Sequence, residues 1–135
     1  MVQMTSKYLG DLRTEGIHLR SGNKIITDAP VDNQGKGEAY SPTDLVCAAL
    51  SSCMMTIMGQ VAVREQIELT GMTSEITKVM VANPRRISEI KIKLEIPYPE
   101  KLSDKQKEVL RRAALTCPVA MSLHPDIKQE VEFNF

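Results

Sequence analysis

Apolar and polar positions alternate in short runs over residues 3 to 28, at Tyr8-Leu9, Ile17-His18-Leu19 and Lys24-Ile25-Ile26-Thr27. Gly10, Gly16 and Ser21-Gly22-Asn23 interrupt them. This pattern predicts a meander of strands with tight turns. From Asp28 to Ser41 the chain is rich in Pro, Gly, Asn and Asp and has no apolar period, which predicts a loop. A helix start follows directly. Ser41 can cap free N–H groups, Pro42 supplies a pre-set φ at the first position, and Asp44 sits at the third.

That helix is predicted to run from Pro42 to about Arg64. It holds small residues (Ala48, Ala49, Ser51, Ser52) and then Met54, Met55 and Met58. Small residues let backbones approach closely and methionine fills irregular gaps, so central packing is expected, with a second copy of the helix in a dimer as its partner.

Two β-like runs follow, Glu68 to Val81 and Ser88 to Ile96. The second alternates Ile90, Ile92, Leu94 and Ile96 against Lys91, Lys93 and Glu95, which predicts one wet face. Asn83-Pro84-Arg85-Arg86 reads as the turn between them, with Arg85 and Arg86 solvated, and Pro97-Tyr98-Pro99 ends the second run. Ser103 and Gln106 form a capping box for a helix to about Leu115. Cys117-Pro118 opens a short helix, Val119 to Leu123, and Lys128 to Phe135 is a last strand. Strands and helices in this order describe an α+β fold, and the length suits a single domain over residues 1–135.

Charge narrows the function. Seventeen basic and seventeen acidic side chains cancel, and no basic stripe interleaved with aromatics occurs, so no nucleic-acid partner is expected. The count of three cysteines is odd. Met1-Val2-Gln3-Met4-Thr5 lacks the features of a signal peptide, so a cytoplasmic, reducing location is expected. Leu45 to Val63 contains nineteen residues without formal charge, which is a bilayer-spanning length. Ser51, Ser52, Thr56 and Gln60 make it only mildly apolar, and the strands need something to cover, so a buried helix and no membrane are expected.

The candidate chemistry is thiol chemistry. Cys53 lies inside the long helix among small neighbours, where a buried thiol is ordinarily an inert hydrophobe. Cys117 lies at a helix N-terminus, where unpaired N–H groups and the helix dipole favour a thiolate. Cys47 precedes Cys53 by six residues, about 240° round the helix, so it faces elsewhere and reads as packing. No Cys-x-x-Cys or His-x-x-x-His spacing occurs and His18 and His124 are isolated, so no metal is expected. The lone Gly35-x-Gly37 reads as a turn.

Two segments carry a resemblance. Ser41-Pro42-Thr43-Asp44-Leu45-Val46-Cys47-Ala48-Ala49-Leu50-Ser51-Ser52-Cys53, followed some sixty residues later by Cys117-Pro118-Val119-Ala120-Met121-Ser122-Leu123, resembles the OsmC/Ohr family of osmotically induced and organic hydroperoxide resistance proteins. The order of elements agrees along nearly the whole chain. The resemblance implies antiparallel sheets wrapped around long central helices in an intertwined homodimer, with a site at each subunit interface. It also implies a cysteine-based peroxidase for small organic hydroperoxides, with Cys53 as the attacking thiol and Cys117 as the resolving one. No cofactor is implied beyond an external dithiol or lipoylated reductant.

The resemblance further implies an activating arginine from the N-terminal meander, held by a glutamate at the start of the long helix. Arg13 best matches the arginine and Arg20 is the runner-up. The glutamate is a departure, because Thr43 follows Pro42 here. Either Asp44 takes that role with a shorter reach or the arginine is held differently. Met54, Met58 and Met121 are candidates for an apolar surround that favours organic peroxides, although plain core is the commoner use of methionine. Two alternatives stand beside the peroxidase: a binding or structural protein with unreactive thiols, and a thiol-dependent hydrolase or transferase on the same scaffold.

Overall fold

Turns that only a left-handed backbone can make set the first strands. Gly10, Asp11 and Leu12 take φ of 88°, 53° and 62°, joining strand β1 (Met4–Gly10) to β2 (Arg13–His18). Gly22 at φ 74° sits in the next turn, where Gly22 N donates to His18 O at 2.7 Å and His18 N to Asn23 O at 2.9 Å. That turn leads into β3 (Lys24–Asp28). A computed structural model describes residues 1–135, and the chain divides into two compact units, Met1–Val46 and Cys47–Phe135.

The first unit is an antiparallel sheet in the order β1-β2-β3. The hydroxyls of Thr14 and Thr27 meet across β2 and β3. Beyond β3 the predicted loop holds one 3-10 turn, Val31–Asn33, and returns on itself through Asp28 N to Tyr40 O at 3.1 Å and Gly37 N to Ala29 O at 3.1 Å. Gly35 permits that closure: a Cβ there would lie 1.8 Å from the Ala29 carbonyl oxygen.

Helix α1 (Pro42–Glu65) starts where the sequence predicts. Asp44 N donates to Ser41 Oγ at 3.0 Å and Ser41 N to Asp44 Oδ2 at 2.9 Å, a reciprocal capping box with Asp in the place usually held by Glu or Gln. By length and composition α1 could cross a bilayer. In the second unit, however, Leu50, Met54 and Met58 are wholly buried in a core shared with strand β5 (Arg86–Glu95) and helix α2 (Asp104–Leu115).

β5 shows the predicted alternation. Ile90, Ile92, Leu94 and Ile96 are buried, whereas Lys91 and Glu95 are exposed and Lys93 half-buried. It pairs antiparallel with β4 (Thr73–Val81), which is shorter than the predicted Glu68–Val81 run. Gln66 at φ 56° and Gly71 at φ 98°, with Met72 N on Leu69 O at 2.9 Å, turn residues 66–72 into a connector.

The predicted box of Ser103 and Gln106 caps α2. Helix α3 (Pro118–Ser122) and strand β6 (Lys128–Asn134) complete the unit. The expectation of antiparallel sheets needs one correction: β6 runs parallel to β5, so the second sheet, ordered β4-β5-β6, is mixed. A connection through two helices has the length to cross over and enter in parallel.

Candidate active site

Two groupings of chemistry-bearing side chains emerge, one in each unit. In the second unit all three cysteines are thiols. Cys53 stands on α1, partly exposed and packed at the margin of the core. Cys117 is the N-cap of α3 with φ −64° and ψ 155°. Its carbonyl accepts from Met121 N at 3.0 Å, its amide donates to Ala114 O at 3.3 Å, and it is only 1% exposed. Cys53 lies near enough to Cys117 to bear on its acidity.

Burial pushes the Cys117 thiol above its ordinary range. The α3 amides of Ala120 and Val119 pull it down and the Cys53 side chain pushes it further up. The helix N-terminus favours the thiolate, as the sequence suggests, but burial outweighs it. The amides act in the expected sense, but five residues of helix do not offset desolvation of the charged sulfur. At neutral pH Cys117 is a protonated thiol beside a more accessible one. Cys47, 2% exposed, is core, as expected. Met54 and Met58 are also core at 0% exposure, and Met121 lies outside it at 65%.

In the first unit Arg13 opens β2 and Asp28 ends β3, directly opposite in register. Arg13 Nε donates to Asp28 Oδ1 at 2.7 Å and Nη2 to Asp28 Oδ2 at 2.8 Å. Nη2 also reaches Glu38 Oε2 at 3.4 Å, and Glu38 N donates to Asp28 Oδ2 at 3.2 Å. The Arg13 side chain is 28% exposed, Asp28 0% and Glu38 68%. The hydrogen bonds with Asp28 raise the Arg13 guanidinium above its usual range, and the same bonds hold the Asp28 carboxyl below the usual carboxylate range.

Asp28 grips the Arg13 guanidinium, and the Asp44 carboxylate accepts from the Ser41 amide at the start of α1. Arg20 is exposed in the turn after β2. Arg85 is exposed in the β4–β5 turn and Arg86, also exposed, opens β5, with Arg86 Nη1 donating to Pro84 O at 2.8 Å. Asp28 and Glu38 were missed by pattern reading. The signal that finds Asp28 is hairpin register: counting outward from the paired His18 and Asn23 brings Arg13 opposite residue 28.

A comparison with curated proteins finds no match. Among solved structures, a Psychrobacter arcticus 273-4 protein assigned to the osmotic stress induced and detoxification response is 54% identical. Its TM-score is 0.94, and the match covers 99% of this chain and 96% of that one. A Legionella pneumophila structure described as organic hydroperoxide resistance protein OsmC, predicted redox protein and regulator of sulfide bond formation is 20% identical. Its TM-score is 0.72, with 100% of this chain and 98% of that one covered. An OsmC like protein from Mycoplasma pneumoniae is 19% identical with a TM-score of 0.79, covering 97% and 94%; these last two show the fold.

The family profile for OsmC-like protein matches residues 35–132, a span that includes Cys53 and Cys117 and stops short of Arg13 and Asp28. By that match, and by its likeness to the Psychrobacter protein over nearly its whole length, the chain belongs to the OsmC-like family.

Proposed function

We propose that the protein is a thiol-dependent peroxidase that reduces organic hydroperoxides through Cys53, with Cys117 as the resolving thiol. The observation that carries this reading is the pairing of a partly exposed thiol with a buried, protonated neighbour. The description of the Legionella relative as an organic hydroperoxide resistance and redox protein points the same way.

The Cys53 thiolate attacks the terminal oxygen of ROOH. The S–O bond forms as the O–O bond breaks, leaving Cys53 as a sulfenic acid and releasing an alkoxide that takes up a proton. The Cys117 thiol then attacks the Cys53 sulfur, expelling water and closing a disulfide. An external dithiol, free or lipoylated, returns both thiols by exchange, taking on the two electrons' worth of oxidation. Such a division suits the acidities: the resolving sulfur stays neutral, which avoids two adjacent thiolates before the peroxide arrives.

Arg13 belongs to the proposal as the cation that favours the Cys53 thiolate and steadies the departing alkoxide. Support comes from the fixed, fully charged state in which Asp28 holds its guanidinium. A homodimer in the cytoplasm is the proposed working form.

Consumption of cumene hydroperoxide with a dithiol present tests the reading. Turnover that Cys53→Ser abolishes, and that Arg13→Ala slows by ~10-fold or more, is expected. Turnover unchanged in Cys53→Ser overturns it.

A further inference from the structure

Among the buried residues, Asp28 alone carries a formal charge. A carboxylate removed from water must recover its solvation from donors. Three donors meet this one: Oδ1 accepts from Arg13 Nε, while Oδ2 accepts from Arg13 Nη2 and from the Glu38 amide. Two parallel bonds fix the plane of the guanidinium as well as its place, which a single contact does not do. They engage Nε and Nη2 and leave Nη1 over.

The third donor makes the carboxylate part of the loop. Asp28 N donates to Tyr40 O at 3.1 Å and Ala29 N to Leu12 O at 3.0 Å. Residue 28 thus holds the far end of the loop through its backbone and its side chain together, and the tight approach of Gly35 to Ala29 keeps the loop in that form. Glu38, mostly exposed and 3.4 Å from Nη2, is the lesser partner, since solvent screens such a pair.

We infer that Asp28 is the positioning residue for Arg13: its fork fixes the guanidinium through Nε and Nη2, and its Oδ2 ties the 28–40 loop to the same point. This rests on the peroxidase reading above and names the residue that makes Arg13 effective in it.

The test is a double-mutant cycle on single-turnover oxidation of Cys53 by cumene hydroperoxide, with the pH profile of Cys53 alkylation as a second readout. Asp28→Asn keeps the size and one acceptor but turns an NH2 towards the guanidinium. It is expected to slow Cys53 oxidation ~10- to 100-fold, the scale of a misplaced catalytic group, and to move the alkylation profile to higher pH. In an Arg13→Ala background the same change is expected to do nothing further to either readout, because Asp28 acts through Arg13.

Equal slowing with and without Arg13, or an Asp28→Asn protein that reacts like wild type, overturns the inference while leaving the peroxidase reading intact. A wild type in which cumene hydroperoxide does not oxidise Cys53 overturns both. If the Asn variant does not fold, Asp28→Glu, which keeps the charge and lengthens the side chain by one methylene, goes through the same cycle: slowing that depends on Arg13 supports the inference, and slowing independent of Arg13 or wild-type reactivity overturns it.

Discussion

Cys117 and Cys53 are unequal neighbours: the Cys117 thiol is buried and pushed up in pKa, first by desolvation and further by Cys53 itself, whereas Cys53 is partly open to solvent. In the proposed reaction a sulfenic acid formed on Cys53 is captured by Cys117. In that reaction the difference in exposure favours Cys53 as the thiol that meets peroxide first.

The raised pKa of Cys117 fixes a pH dependence. The folded state holds the thiol proton more tightly than the unfolded chain, so its stabilising effect is complete below the ordinary thiol value of about 8.5 and is lost as pH rises through the folded value. The thermal midpoint of the reduced protein is expected to fall as pH rises above that value. Cys117→Ala should lack this part of the decline. Parallel alkaline declines in the two proteins would contradict it.

Asp28 acts at the other end of the scale. Its carboxyl is held down chiefly by the Arg13 hydrogen bonds, so the stability it adds is present above the ordinary carboxylate value of about 3.9 and is lost as pH falls through the lower folded value. Acid unfolding followed by circular dichroism should begin at higher pH in Arg13→Ala, where the buried carboxylate has lost its fork. An unchanged acid midpoint would contradict this.

Met54 is core and should behave as core. Wholly buried between α1 and the second sheet's apolar face, it is expected to cost ~2–5 kcal/mol when replaced by Ala, as other buried Met-to-Ala changes do. Met121, 65% exposed, should cost under ~0.5 kcal/mol. Denaturant titration of the two variants checks the contrast.

Much of this architecture was legible because local chemistry and tertiary packing agree. Ser41, Pro42 and Asp44 mark the start of α1, and the strict alternation from Ile90 to Ile96 marks a strand with one buried face. Where they disagree, pattern reading fails. Glu68 to Met72 is apolar enough to pass for strand, but the backbone needs of Gln66 and Gly71 win there. The direction of β6 depends on the path of α2 and α3, which periodicity does not encode.

The candidate site divides in the same way. Cys53 and Cys117 stand in recognisable local contexts. The partner of Arg13 is fixed instead by hairpin register fifteen residues away, and Asp28 sits at the edge of a Pro- and Gly-rich stretch that reads only as loop. The burial of Cys117 was not legible, because the sequence displays a helix start but not the depth at which it lies.

The central claim is the order of the two thiols, and mass spectrometry after one equivalent of cumene hydroperoxide tests it most directly. The account predicts that wild type loses two hydrogens to a Cys53–Cys117 disulfide. It predicts that Cys117→Ser gains oxygen at Cys53, climbing to sulfinic acid under excess peroxide, and that Cys53→Ser shows no change at Cys117. Oxygen gained at Cys117 in the Cys53→Ser protein, with Cys53 unoxidised in Cys117→Ser, would contradict it.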